Sequence, residues 1–171
     1  MAEYVGKLRI QVRIQMPSAE PIAGFLSVAP QSAIYDGPET LFELLNAPIR
    51  VLPFILASDG SVMLVTREHL DWIEASDEVD PELVSPRPYM VTREEVVAVE
   101  WLDGTRMQGK LPMELPDDIN RASDYMNSDD DFFPLMVQGG CMLVNKRRLR
   151  AVRIFSASPR PSATIIEFPA A

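Results

Sequence analysis

From Lys7 to Met16 the chain alternates strictly. Leu8, Ile10, Val12, Ile14 and Met16 interleave with Lys7, Arg9, Gln11, Arg13 and Gln15. Period-two alternation over ten residues predicts a strand with one buried face and one cationic outer face. Pro17 to Pro21 reads as a turn, and Ile22 to Val28 as a second strand with Gly24 at a bend or bulge. Thr40 to Leu45 has the start signals of a short helix, with Glu39 and Glu43 favourable near its N-terminus and an end near Asn46. Ile49 to Ala57 reads as a buried strand. Pro53 within it cannot donate to a ladder and belongs at an edge or a bulge. Asp59-Gly60 is a hairpin signal, followed by a return strand Ser61 to Val65, a tight turn Thr66 to His69 and a closing strand Leu70 to Ala75.

The pattern then recurs. Val96, Val97, Val99 and Trp101 form a strand, Asp103-Gly104 a turn, and Arg106 to Glu114 the return through Gly109. Asp117 to Asn127 is the expected helix, capped by Asp117 or Asp118. Phe132 to Val137, Cys141 to Asn145 and Arg150 to Phe155 are the last three strands. Residues match across the two series at a slowly falling offset. Val12, Ile14, Met16, Gly24 and Leu26 answer Val97, Val99, Trp101, Gly109 and Leu111 at 85. Asn46 and Pro53 answer Asn127 and Pro134 at 81, and Met63, Leu64, Val65, Arg67 and Leu70 answer Met142, Leu143, Val144, Lys146 and Leu149 at 79. The expected fold class is mainly β: two tandem five-stranded small barrels, each with a short helix between strands 2 and 3, since closing a small sheet hides its edges. The expected organisation is a first repeat over residues 1–76, an acidic Pro-rich linker over 77–89, a second repeat over 90–155 and a Pro/Ser tail over 156–171. Within that tail Thr164 to Phe168 is an apolar island able to add to a sheet edge.

The second series contains WLDGTRMQGKL and, after the helix, MLVNKRRLRAV. These two blocks resemble those of the Sm-like family, above all its bacterial RNA-chaperone (Hfq-like) branch. The first block carries Asp103, Gly104, Gln108, Gly109 and Leu111; the second carries Leu143, Val144, Lys146, Leu149 and Val152. The resemblance spans Val96 to Ile154 and, more faintly, Leu8 to Ile73. It implies a five-stranded barrel and places the turn around Lys146 where that family meets uridine-rich RNA. The chain departs from the family in having its helix between strands 2 and 3 rather than before strand 1. It also has Asn145 and Arg147 where the family has tyrosine and histidine.

Fifteen prolines against eight glycines in 171 residues favour short strands and stiff loops over long helices. A net charge of −9 disfavours general binding to phosphate-rich nucleic acid. The apolar runs are too short and too often broken by charge for a transmembrane helix. Met-Ala-Glu-Tyr lacks the plan of a secretion signal, and a lone Cys141 excludes an intrachain disulfide, so a reducing, cytoplasmic location is expected.

Candidate chemistry is sparse. His69 and Cys141, each the sole residue of its kind, fall at unmatched places in the two series and read as a turn histidine and a small apolar cysteine. Ser128-Asp129-Asp130-Asp131 is the densest carboxylate run, but it lacks calcium-loop spacing and reads as a solvated loop. No zinc ligand set, phosphate loop or nucleophile elbow is present, so no metal, cofactor, small-molecule substrate or enzymatic activity is expected. Lys146, Arg147, Arg148 and Arg150, with Arg67 at the matching turn of the first series, form the candidate binding cluster. These cations either contact RNA or form a solvated turn and strand face that neutralises the acidic loop or a neighbouring subunit. The expected function is a non-enzymatic interaction or assembly protein that binds a protein partner or self-associates, with an RNA-binding regulator as the alternative.

Overall fold

The computed structural model describes residues 6–85, 93–113 and 122–155. The first half contains β1 (Leu8–Gln15), β2 (Ile22–Val28), α1 (Leu41–Asn46), β3 (Val51–Leu56), β4 (Val62–Thr66), a 3-10 turn (Arg67–His69) and β5 (Trp72–Ala75). A four-residue helix α2 (Pro81–Val84) follows. The second half contains β6 (Arg93–Trp101), β7 (Arg106–Met113), α3 (Ala122–Met126), β8 (Phe132–Val137), β9 (Gly140–Asn145), a 3-10 turn (Lys146–Arg148) and β10 (Leu149–Ile154). The alternation predicted from Lys7 onward is realised in β1, where Ile10, Val12 and Ile14 are buried and Leu8, Arg9, Gln11 and Arg13 are exposed.

Two closed barrels were expected. The ten strands instead form one antiparallel sheet, ordered β10-β6-β7-β8-β9-β5-β1-β2-β3-β4, which does not close into a barrel. The physical reason lies at the middle of that order. β5 finds its second edge partner in β9 of the other half, with Trp72, Ile73 and Glu74 opposite Val144, Leu143 and Met142. The edge backbone groups of β5 and β9 that closure would have satisfied are satisfied between the halves instead.

The pairings within the two halves correspond residue by residue. In the first half Ile14 faces Ile73 and Val12 faces Ala75; in the second Val99 faces Val152 and Val97 faces Ile154. Val12 faces Gly24, and Val97 faces Gly109. Pro53 faces Leu64 and Leu52 faces Val65, while Pro134 faces Leu143 and Phe133 faces Val144. These pairs lie at the offsets 85, 81 and 79 found in the sequence. Both glycines sit where the next strand crosses closely. A Cβ on Gly24 would lie 2.2 Å from the Ile55 carbonyl oxygen, and one on Gly109 would lie 2.7 Å from that of Met136. Both prolines lie just beyond the last residues that pair with β2 or β7, where a missing N–H breaks no ladder bond.

The helices are brief, and local capping sets them. Thr40 accepts a bond from the Glu43 N–H at 3.2 Å while the Glu43 carboxylate accepts from the Thr40 N–H at 2.8 Å, the reciprocal capping box. The stretch expected to be a linker holds α2. Asp80 caps it, Pro81 occupies its first turn, and Val84 is buried against the first half. α3 realises the end of the helix predicted from Asp117; the predicted cap, the end of the linker near Pro88 and the Pro/Ser tail lie outside the described residues.

Buried apolar side chains form two clusters. One is centred on Ile14, Leu26, Leu41, Phe54 and Ile73, the other on Val99, Trp101, Leu111, Phe133 and Leu135. Tyr125 on α3 meets the Phe133 ring edge-on, with centroids 6.4 Å apart, and covers the second cluster. Each cluster borrows from the other half. Phe132 and Leu143 are buried in the first, with Cys141 packed against it, and Trp72 packs against the second.

Candidate functional site

Of the five predicted binding residues, Arg67, Arg147 and Arg148 meet at the seam between the halves, Lys146 bonds within the second half, and Arg150 lies away from the seam on β10. Arg67, at the 3-10 turn after β4, donates to the Leu45 and Ala47 carbonyls at 2.9 and 2.8 Å, and to the Asp131 carboxylate at 3.3 Å. Arg147 donates to the other Asp131 oxygen at 2.8 Å and reaches Glu68 at 4.0 Å. One carboxylate from the acidic loop therefore joins a cation from each half. The Asp131 pairing raises the already high pKa of the Arg147 guanidinium further.

Arg148 donates to Asp71 at 3.0 Å across the seam. Asp71 is buried, and that burial pushes its carboxyl pKa up, partly offset by Arg148. Lys146 donates to Ser128 Oγ at 2.7 Å and to the Tyr125 carbonyl at 3.2 Å, with its ammonium 5.7 Å from the Tyr125 ring centre. Burial lowers its pKa against the opposing pull of Asp130, Asp131 and Asp129. Arg150 pairs with Glu100 at 3.2 Å on β6. The whole basic run is thus engaged with carboxylates, carbonyls or hydroxyls of its own chain.

Neutral groups bind the seam as well, and sequence reasoning did not single them out. Asn46, the last residue of α1, accepts from the Phe132 N–H at 2.9 Å and donates to the Phe132 carbonyl at 3.1 Å. Asn145, almost wholly buried, donates to the Leu70 carbonyl at 2.9 Å, and its own N–H donates to the Asp71 carbonyl at 3.0 Å. Trp101 Nε1 donates to the same Asp71 carbonyl at 3.3 Å. The Asn46 and Asn127 match at offset 81 was the available signal. Asn127 repeats the turn-back bond of Asn46, donating to the Ser123 carbonyl as Asn46 donates to that of Phe42.

The seam uses one side of each half. The opposite sides are the outer strands β4 and β10, each with a single pairing partner among the described residues. Val62 and Leu64 on β4 are 61% and 69% exposed, and Val51 on the adjoining β3 is 40% exposed. On β10, Ile154 is exposed and Val152 half-buried; Phe155 just past it is also exposed.

Of the remaining candidates, His69 is exposed in its turn. Cys141 is half-buried in β9, where burial pushes its thiol up to about 11, far from a reactive thiolate. Among the described residues no group of histidine, cysteine, aspartate or glutamate is arranged to hold a metal ion. Nor is any described helix long and apolar enough to cross a membrane. No family model, curated protein or solved structure matches this chain.

Proposed function

We propose that the chain is a non-enzymatic assembly protein that works through the open edges of its sheet. We further propose that its halves are diverged Sm-like five-stranded units descended from one ancestral sheet. The observation that carries the assembly reading is the pair of outer strands, β4 and β10, with Val62, Leu64 and Ile154 turned to solvent on them. An unprotected edge is a template for another chain, and apolar side chains on it make that pairing favourable. Common descent is supported by the strand order, 5-1-2-3-4 in the first half and the same order shifted by five in the second. It is further supported by the matching registers and the paired close-approach glycines.

The cations that the Sm-like resemblance would assign to RNA serve here to bind the halves to each other and to the acidic loop. The test is affinity capture from the source cell with and without nuclease, comparing the natural chain with a V62K/L64K variant. The expected result is a protein complex that survives nuclease and is lost in the variant. A complex released by nuclease and untouched by the edge substitutions would favour the RNA-binding alternative.

A further inference from the structure

The halves differ where the third strand of each meets the second. β2 and β3 share three facing pairs, and beyond them the Ala57 N–H donates to the Ala23 carbonyl at 3.1 Å. β7 and β8 share one pair, Lys110 with Met136. Gln108 and Gln138 match Ala23 and Ala57 at the offsets 85 and 81. They make no such bond, and the Gln138 N–H has no other hydrogen-bond partner among the described residues. Neither glutamine side chain is bonded to a described residue either. We infer that the gap between β7 and β8 is a docking site for an extended segment, and that its occupant is the chain's own tail, through Thr164 to Phe168. The inference goes beyond the assembly reading and does not depend on the outer edges.

The gap has the parts that strand addition needs. The Trp101 N–H donates to the Thr105 carbonyl, so the bonded pairs with β6 fall at Thr105, Met107 and Gly109. Gln108 lies between two of these and turns its backbone groups to the β8 side. Two clefts meet there, of about 380 and 510 Å³, and Gln108, Val137 and Gln138 line both. The smaller also has Trp72, Met107 and Met142, which belong to the second apolar cluster, so it opens on the cluster side. The larger has Val96, Lys110 and Met136, and the last two stand at the alternate strand positions, which face the other way. A strand laid along Gln108 would find main-chain partners at its edge and an apolar recess on each face. Main-chain bonds give such a site affinity, and pockets for alternate side chains give it specificity.

Position and chemistry single out the tail. Phe155, the last described residue, donates its N–H to the Val96 carbonyl at 2.9 Å, and Val96 lines the larger cleft. The tail therefore leaves beside the site. β10, β6, β7 and β8 are successive neighbours in the sheet, which puts the gap within about 15 Å of β10. The eight residues 156–163 can span up to about 26 Å before Thr164 is reached. Ile165 and Ile166 are consecutive, so in a strand they point to opposite faces, one for each recess. Glu167 is the only acidic side chain of the tail and shares a face with Ile165. Lys110 in the larger cleft is held only by an exposed pair with Glu94 at 3.6 Å. Ile165 in that recess brings Glu167 to the side of this cation, and Ile166 enters the smaller cleft against Trp72, Met107 and Met142. Pro169 has no N–H to give and ends the pairing.

The test is residue-resolved hydrogen exchange of the full chain, natural and with Ile165→Asp and Ile166→Asp together, at two protein concentrations. The Gln138 amide is the probe, because nothing among the described residues protects it. It should exchange at least about tenfold more slowly in the natural chain than in the variant, by the same factor at both concentrations. The amides of β6 should stay protected in both chains, which shows that the variant is folded. A Gln138 amide that exchanges freely in the natural chain would overturn the inference, as would one equally protected in both chains. Protection that rises with concentration would mean that another molecule fills the gap, and would overturn the assignment to the chain's own tail. None of these results bears on the outer edges, so the assembly reading stands or falls separately.

Discussion

The inner and outer strands at matched positions behave as two experiments on one pattern. β9 and β4 share a pairing register, yet Leu143 on β9 is fully buried and Leu64 on β4 is open to solvent. β5 and β10 share another, and Ile73 is buried where Val152 is not. The side chains are apolar in every case. What differs is whether a neighbouring unit lies alongside. Apolar character at a strand position therefore does not decide its burial by itself; a strand lying alongside does.

Truncation should break this comparison most sharply. Leu143→Ala removes a side chain buried in the first cluster and should cost about 2–5 kcal/mol in urea unfolding. Leu64→Ala at the matched place should change the unfolding of an isolated chain by less than about 0.5 kcal/mol. Equal costs at the two positions would end the argument from burial.

Next in size are the glycines. Gly24→Ala and Gly109→Ala should each destabilise by about 1–3 kcal/mol. Gly24 should be the worse, since its Cβ would strike the Ile55 carbonyl at 2.2 Å, whereas the Cβ at Gly109 stands 2.7 Å from the Met136 carbonyl and the Leu135 side chain. Thermal melts of the two variants side by side check the order.

Asn46→Ala leaves the N–H and carbonyl of Phe132 without their side-chain partner and should cost about 1–3 kcal/mol. Asn127→Ala should be nearly silent in the unfolding of a single chain.

The smallest effect is a pH dependence. The raised pKa of Asp71 means that its favourable share of stability is complete below the ordinary value of 3.8 and is lost as pH rises through the folded-state value. Asp71→Asn has no such titration. The stability of this variant relative to the natural chain should therefore grow as pH rises from 3.8, which chemical denaturation at a series of pH values would reveal.

Much of the strand plan was legible because alternation and turn chemistry act locally. β2 spans Ile22–Val28 and β8 Phe132–Val137, as their patterns required, and the Asp-Gly turns fell where read. The recurrence of the pattern also carried the internal registers, because an offset that matches residues also matches their partners. The joining of two units into one sheet was not legible. Period-two alternation says which face of β5 is buried but not which strand lies beside it, and β9 is remote in sequence. The basic run shows the same limit. Lys146, Arg147 and Arg148 read as a surface cluster, while the seam gives Arg148 a buried carboxylate and Arg147 a loop carboxylate. α2 was missed because Asp80-Pro81 opens a helix too short to show a period.

The claim that the chain assembles through the open edges of its sheet is met most directly by hydrogen exchange at low and high protein concentration. The account predicts that amide protection over Val62–Thr66 and Leu149–Ile154 rises with concentration, while Trp72–Ala75 and Gly140–Asn145 stay protected throughout. Outer strands whose exchange is the same at every concentration would contradict it.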